Sequence, residues 1–418
     1  MHQEQTLGEA KSMNSENIPP FADRDVPVTP VNCLNKRIQA YRSAPLLSPM
    51  LDLSSSLLEA QRQLQRPDTI WSQVTPGGVR FTRRRLTDSS QHTNRNLMDM
   101  PNEVVDHVLS FLNKRDLMHV GATCKRFYLI SSNPRHWNFV NLSGKSVFDS
   151  ALHRLISRRT KSLALMTSNI DYDYALLTHE FPLCQLTKLD LSWAKFRYPS
   201  MLNSILRRCQ DLQCLGLQCQ CLDFEALDLI SKNHHLSVLN ISECGTLDPY
   251  GLRKIFANCR LTEFNASWCH FSLFSANVII NEIPSTITRL AIAGTGDLSC
   301  FGDEGWSKII DRLPSIFELD VGDNHEITAV FITKLHNSAP NLKKLTVARC
   351  FKIEPIAYCM LDKLRVLNLF GNINDTGYRF LKAQMPHLII NQSPFQTVAK
   401  SQTHNCSKFW GECIDEPY

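Results

Sequence analysis

Leu186-Thr187-Lys188-Leu189-Asp190-Leu191-Ser192-Trp193-Ala194 sets leucine at the first, fourth and sixth positions of a nine-residue frame. Further copies follow. They run Leu212, Leu215, Leu217, Gln220; then Leu236, Leu239, Ile241, Cys244; then Leu261, Phe264, Ala266, Cys269. Next come Ile287, Leu290, Ile292, Thr295, and Ile316, Leu319, Val321, Asn324. The last two are Leu342, Leu345, Val347, Cys350 and Leu364, Leu367, Leu369, Asn372. Starts lie 26, 24, 25, 26, 29, 26 and 22 residues apart. A period of about 20–29 residues marks stacked units of strand, turn and helix. Ser200 to Cys209 and Gly251 to Cys259 read as two of the helices. One unit cannot bury its own apolar side, whereas a stack buries a continuous core. The expected fold is therefore α/β, a solenoid bent into a horseshoe of parallel strands and helices. Degenerate copies are expected near Phe139 to Leu142, Lys161 to Leu165 and His387 to Asn391.

Side chains alternate along a strand. With Leu189 and Leu191 inward, Asp190 should point out, and so should Asn240, Asn265, Asp320, Thr346 and Asn368. Trp268 and Arg349 take the next outward position, with Trp193, Glu243 and Asp323. An aromatic and an Arg on one face suit a binding site, and Arg349 suits a phosphate or carboxylate. Solvation of the strand face is the plainer reading. Cys244, Cys269 and Cys350 hold the last template position, where an inward side chain can bond backbone left over at the turn. Cys209 and Cys259 end helices. Cys214, Cys219 and Cys221 cluster, but their spacing is not a zinc pattern. No Cys is marked as a nucleophile by a His and an orienting partner. No catalytic residue, metal or cofactor is expected.

Upstream, Leu97 to Trp137 reads LMDMPNEVVDHVLSFLNKRDLMHVGATCKRFYLISSNPRHW. Pro101 suits a first helical position. Val104, Val105, Val108, Leu109 and Leu112 form an apolar stripe at helical spacing. Asp116 should cap a second helix carrying Leu117 and Val120 and ending near Gly121. Thr123 should cap a third, with Cys124, Phe127 and Ile130. A segment of this size buries too little surface to stand alone. Several apolar side chains left exposed together imply a partner.

The chain has 418 residues, 43% hydrophobic and 20% charged, enough for two or three domains. No run of 18 apolar residues occurs, so no membrane helix is expected. The N-terminus lacks a secretory apolar core, so the 15 cysteines should stay reduced. A net charge of +5 is too small for a nucleic-acid footprint. Residues 1–96 hold 8 of the 20 prolines and little periodicity, and read as a disordered arm. Thr29-Pro30, Ser48-Pro49 and Thr75-Pro76 fit proline-directed kinases and fit equally the ordinary makeup of such an arm. Arg80 to Leu86 (RFTRRRL) reads as a solvated basic run, a nuclear-import patch or a cyclin-docking Arg-x-Leu.

The upstream stretch resembles an F-box: Met-Pro-x-Glu-Val-Val, Val-Leu-Ser-Phe-Leu, Asp-Leu, Cys-Lys-Arg-Phe and a closing Trp. Met100 stands where Leu is usual and Phe127 where Trp is common, both keeping apolar bulk. An F-box joined to leucine-rich repeats is similar to the F-box/leucine-rich-repeat family of SCF substrate receptors. The resemblance implies an F-box over 97–137, repeats over 138–391 and a tail over 392–418 folded back on the concave face. It implies a non-catalytic subunit of a ubiquitin ligase, nuclear and cytoplasmic. Pro101, Glu103, Val104, Val108, Leu109, Leu112, Leu117, Val120, Cys124, Lys125, Phe127 and Trp137 would serve the small adaptor, S-phase kinase-associated protein 1, which binds a cullin. WNFVNLSGK (137–145), FNASWC (264–269), LTVARC (345–350), MPHLIINQSPFQTVA (385–399) and Trp410-Gly411 resemble one branch of that family. That branch works with a small cyclin-kinase-subunit accessory protein on phosphorylated inhibitors of cyclin-dependent kinases. The matching positions are Trp268, Asp320, Asp323, Arg349 and Phe395. A receptor for another target, or a scaffold that masks a partner, remains the rival reading.

Overall fold

The structure, a computed structural model, describes residues 97–171, 184–198, 200–401 and 408–413. The expected arm over 1–96, with its Ser/Thr-Pro pairs and basic run, lies outside the described residues.

Three short helices open the described chain: α1 (Asn102–Leu109), α2 (Lys114–Gly121) and α3 (Lys125–Ser131). Their caps differ from expectation by a residue or more. Pro101 is the N-cap of α1 rather than its first helical residue. Asn113, not Asp116, caps α2, its side-chain oxygen accepting the Asp116 N–H at 2.9 Å. Cys124, not Thr123, caps α3. Asn113 and Cys124 each accept, through the side chain, the N–H three residues on, which the helix leaves unpaired, whereas Pro101 makes no side-chain bond.

A 3-10 turn over Pro134–Trp137 then leads directly into the first strand. Eleven parallel strands follow in chain order: β1 (Phe139–Asn141), β2 (Ser162–Ala164), β3 (Lys188–Asp190), β4 (Cys214–Gly216), β5 (Val238–Asn240), β6 (Glu263–Asn265), β7 (Arg289–Ala291), β8 (Glu318–Asp320), β9 (Lys344–Thr346), β10 (Val366–Asn368) and β11 (Ile389–Ile390). The degenerate copies are thus real strands, β1, β2 and β11. Register follows the template. Leu189, Leu215, Leu239, Phe264, Leu290, Leu319, Leu345 and Leu367 lie side by side and are all buried. Helices such as Ser200–Leu206 and Pro249–Asn258 return the chain to the next strand. Asp223, Asp248, Ser272 and Asn374 cap four of them.

The last template position behaves as its chemistry requires. The Cys244 thiol donates to Leu217 O and the Cys269 thiol to Ile241 O, both at 3.1 Å. Asn324 Nδ2 donates to Phe301 O at 2.8 Å. Each ties one turn to the unit before it and meets a carbonyl that burial would otherwise leave unpaired.

The outward strand residues depart from the alternation argument. Asp190, Asn240, Asn265, Asp320 and Asn368 are between 0% and 6% exposed, and only Thr346 of that set is half-buried. Most fold down onto their own turn. Asp190, Asn240, Asn265 and Asp320 each accept the N–H two residues on, at 2.8 to 3.1 Å. The C-terminal segment then lies across the same face. Asn265 Nδ2 reaches Gln396 Oε1 (3.1 Å) and Val398 O (3.2 Å), and Val398 and Ala399 pack on Ala291. Ser401 bonds Asp190, Lys188 Nζ donates to Trp410 O at 3.2 Å, and the Phe409 ring packs tilted against Phe139 at 5.3 Å. The tail thus runs from β10 and β11 back across the sheet as far as β1.

Candidate interaction surfaces

The apolar stripe of α1 splits into two faces. Val105 and Leu109 turn inward at 0% and 2% exposure, joining Leu117, Ile130 and Trp137 in the core that continues into the repeats. Val104 and Val108 turn outward at 44% and 42%. Phe111, just past the helix, is 77% exposed, with its ring edge-on to His107 at 5.2 Å. Residues 104, 108 and 111 share one side of a helical path by their four- and three-residue spacing. Leu129 on α3 adds a further exposed apolar group. Pro101, Glu103 and Lys125 are exposed, while Leu112, Val120, Cys124 and Phe127 are half-buried.

Three of the expected adaptor residues do not lie on this surface. Leu109, Leu117 and Trp137 are 2%, 1% and 3% exposed and hold the three-helix segment, the plug of the molecule, together from inside. Trp137 Nε1 donates to Ser131 O at 2.7 Å, and the Arg158 guanidinium stacks 4.0 Å over its ring. Beside it, Asp106 meets His136 Nε2 at 2.6 Å and Arg135 at 2.8 Å. Trp137 is a joint between plug and repeats. Phe111 and Leu129 were absent from the expected set. Continuing the spacing from Val104 through Val108 reaches Phe111, where the expected stripe took Leu112 instead; nothing in the sequence marks Leu129.

The second surface lies where the strands end. Three residues after each of β3 to β10 the backbone turns left-handed: Trp193, Cys219, Glu243, Trp268, Asp323 and Arg349 have φ between 55° and 62°, and Gly294 and Gly371 take the same place at 79° and 73°. Non-glycine residues rarely adopt this conformation. In four of these eight copies the amide bonded to the strand's last side chain stabilises the turn. Side chains at these positions therefore leave equivalent turns in a row, one per repeat.

Trp268, Asp323 and Arg349 all belong to this row. The Trp268 ring lies over Gly294, where a Cβ would stand 2.5 Å from it. The stem of Arg349 crosses Gly371 in the same way. Arg349 makes a two-point ion pair with Asp323 through Nε and Nη2, which raises its pKa. The expectation of an Arg awaiting a phosphate is thus modified: two of its five donors already hold a carboxylate. Asp320 lies deeper, beneath this row. Burial, and secondarily the charge of Glu318, push its carboxyl up to about 6, against the opposing bond from Gly322 N–H. Phe395 sits half-buried in the tail, and its N–H donates to Ser393 Oγ at 3.1 Å. Two residues on, Thr397 Oγ1 accepts from Lys344 Nζ (2.9 Å) and donates to Glu318 Oε1 (3.0 Å). Those are strands β9 and β8, whose turns carry Arg349 and Asp323.

Residues 150–415 match the family described as the SKP2 LRR domain, and residues 97–143 match the F-box-like family. The chain belongs to the SKP2 leucine-rich-repeat family. An F-box followed by SKP2-type repeats is the organisation of an SCF substrate receptor, and F-box domains bind Skp1 in such complexes. Such families are typically non-catalytic adaptors. Among solved structures, the leucine-rich repeat-containing protein LegL7 from Legionella pneumophila is similar at 15% identity, over 62% of this chain and 86% of that one, with a TM-score of 0.36. The TLR13–ssRNA13 complex matches at 15% identity over 58% of this chain and 41% of that one, also with a TM-score of 0.36.

Proposed function

We propose that this SKP2-family receptor recruits phosphorylated inhibitors of cyclin-dependent kinases, together with a small cyclin-kinase-subunit accessory protein, to an SCF ligase. The accessory protein would rest on the row of Trp268, Asp323 and Arg349 and on Phe395 of the tail. One observation carries this reading. Thr397 pins the tail to the two strands whose turns hold Asp323 and Arg349, which anchors the tail two residues from Phe395. The chain itself would do no covalent chemistry. It would raise the effective concentration of the target at the loaded conjugating enzyme. The rival reading, a scaffold that masks a partner, shares the row but gives no reason for an outward apolar F-box face.

The test is titration of the accessory protein against the full chain, wild type, Trp268→Ala and Phe395→Ala. Binding that weakens about tenfold or more in each variant, a loss of about 1.4 kcal/mol, supports the proposal. Equal affinity for all three chains, or no binding to any, refutes it.

A further inference from the structure

Two pairs of buried thiols in adjacent repeats differ in what they face. Cys244 and Cys269 occupy equivalent places in adjacent units, and each points at a carbonyl of the unit before it, 3.1 Å away. Cys184 and Cys209 also belong to adjacent units, one before β3 and the other before β4. Their sulfurs lie 3.1 Å apart, a hydrogen-bonded contact, and Cys184 Sγ also lies 3.2 Å from Arg208 O. A disulfide needs about 2.05 Å, so closure requires movement of roughly one ångström. Beside the pair is a small void of about 20 Å³, lined in part by Cys209, Leu186, Ile205 and Arg208. Close packing usually forbids such an adjustment without strain; here there is some slack. Cys184 is 6% exposed and Cys209 2%.

We propose that Cys184 and Cys209 are a site of oxidative modification, which a hydroperoxide converts to a disulfide clamping two successive repeats. The geometry supplies the pair, and the shared hydrogen bond favours one reactive partner. A thiolate at Cys184 accepts a bond from Cys209, which pushes the Cys184 thiol down and the Cys209 thiol up. The thiolate is the nucleophile.

In the first step the Cys184 sulfur attacks the hydroperoxide. An S–O bond forms and the O–O bond breaks. The departing oxygen takes a proton and leaves as water or an alcohol, and Cys184 becomes a sulfenic acid. In the second, the Cys209 sulfur attacks Cys184. The S–S bond forms, the S–O bond breaks, and the hydroxide leaves as water with the Cys209 proton. Two electrons pass from the thiols to the hydroperoxide.

The experiment treats the full chain with hydrogen peroxide, blocks remaining thiols with a maleimide, and maps tryptic peptides by mass. Cleavage at Lys161 and Lys188 leaves Cys184 as the sole cysteine of its peptide, while the peptide after Arg208 also holds Cys214, Cys219 and Cys221. Fragmentation must therefore place the link at Cys209. The expected result is a Cys184–Cys209 linked peptide, reversed by dithiothreitol, that appears before any Cys244–Cys269 link. Cys209→Ser should abolish it and Cys244→Ser should leave it intact. Should Cys209→Ser fail to fold, the order of linkage in the wild-type chain still decides. Oxidation confined to the exposed Cys219 and Cys221, or a Cys244–Cys269 link forming equally fast, overturns the proposal.

Discussion

Asp320 shows how one residue can look like a surface group and behave as a core one. Alternation along β8 turned it away from the apolar core, yet it is 6% exposed and titrates near 6. Its folded-state pKa lies above the ordinary carboxylate value of about 3.9. The fold therefore prefers the protonated form. That contribution to stability is complete below about pH 3.9 and is lost as pH rises through about 6. Asp320→Asn keeps the oxygen that accepts from Gly322 and removes the charge. It should raise the melting temperature at pH 7.5 by the equivalent of about 1–3 kcal/mol, with the gain shrinking towards pH 5. Thermal melts at both values check this; an equal effect at both would show that charge burial is not the cause. Gly294 is the second such residue. Its φ of 79° and the Trp268 ring against it leave no room for a Cβ. Gly294→Ala should cost more than about 1 kcal/mol and shift Trp268 fluorescence. Composition and periodicity made neither position legible, because Asp320 depends on the turn it folds onto and Gly294 on a ring one repeat away.

At the level of elements, α1 separates what the sequence could say from what it could not. The apolar spacing showed that a helix would have a sticky side. It did not show that Val105 and Leu109 serve the interior while Val104, Val108 and Phe111 serve the exterior. That division depends on how α3 packs beneath α1. It changes the choice of mutants. Leu109→Asp should unfold the plug, because it buries a charge without a partner. Val108→Glu should leave the melting temperature within the range of about 0.5 kcal/mol typical of surface changes. Comparing the two melts by circular dichroism tests the assignment of faces. The repeats were far more legible than the plug. Each of the eight regular template copies is a strand in register, because Leu or Phe at its centre has only one buried side to take. The tail was legible only through family resemblance; no periodicity in 392–401 says what it crosses. Thr397→Val removes two bonds to charged partners, each worth about 1.5–3 kcal/mol. Trypsin should then cut after Lys400 faster than in wild type, and an unchanged rate would mean the tail is held elsewhere.

On the scale of the whole molecule, plug and repeats share one core and no linker. Val105, Leu109 and Leu117 join Trp137 and Val140, and the core runs on through the strands to Leu388. Trp137→Ala, at the joint, should cost about 3–5 kcal/mol and lower the melting of plug and first repeats together. A receptor that must hold its target at a set distance benefits from such continuity. The exposed side of α1 with Phe111 is the face proposed to dock the SCF adaptor. Calorimetric titration of Skp1 into the full chain, wild type against the Val108→Glu, Phe111→Asp double variant, tests it most directly. Tight binding to wild type is expected, with a loss of at least about tenfold, or 1.4 kcal/mol, in a variant whose melting temperature is unchanged. Undiminished affinity in that folded variant would contradict it.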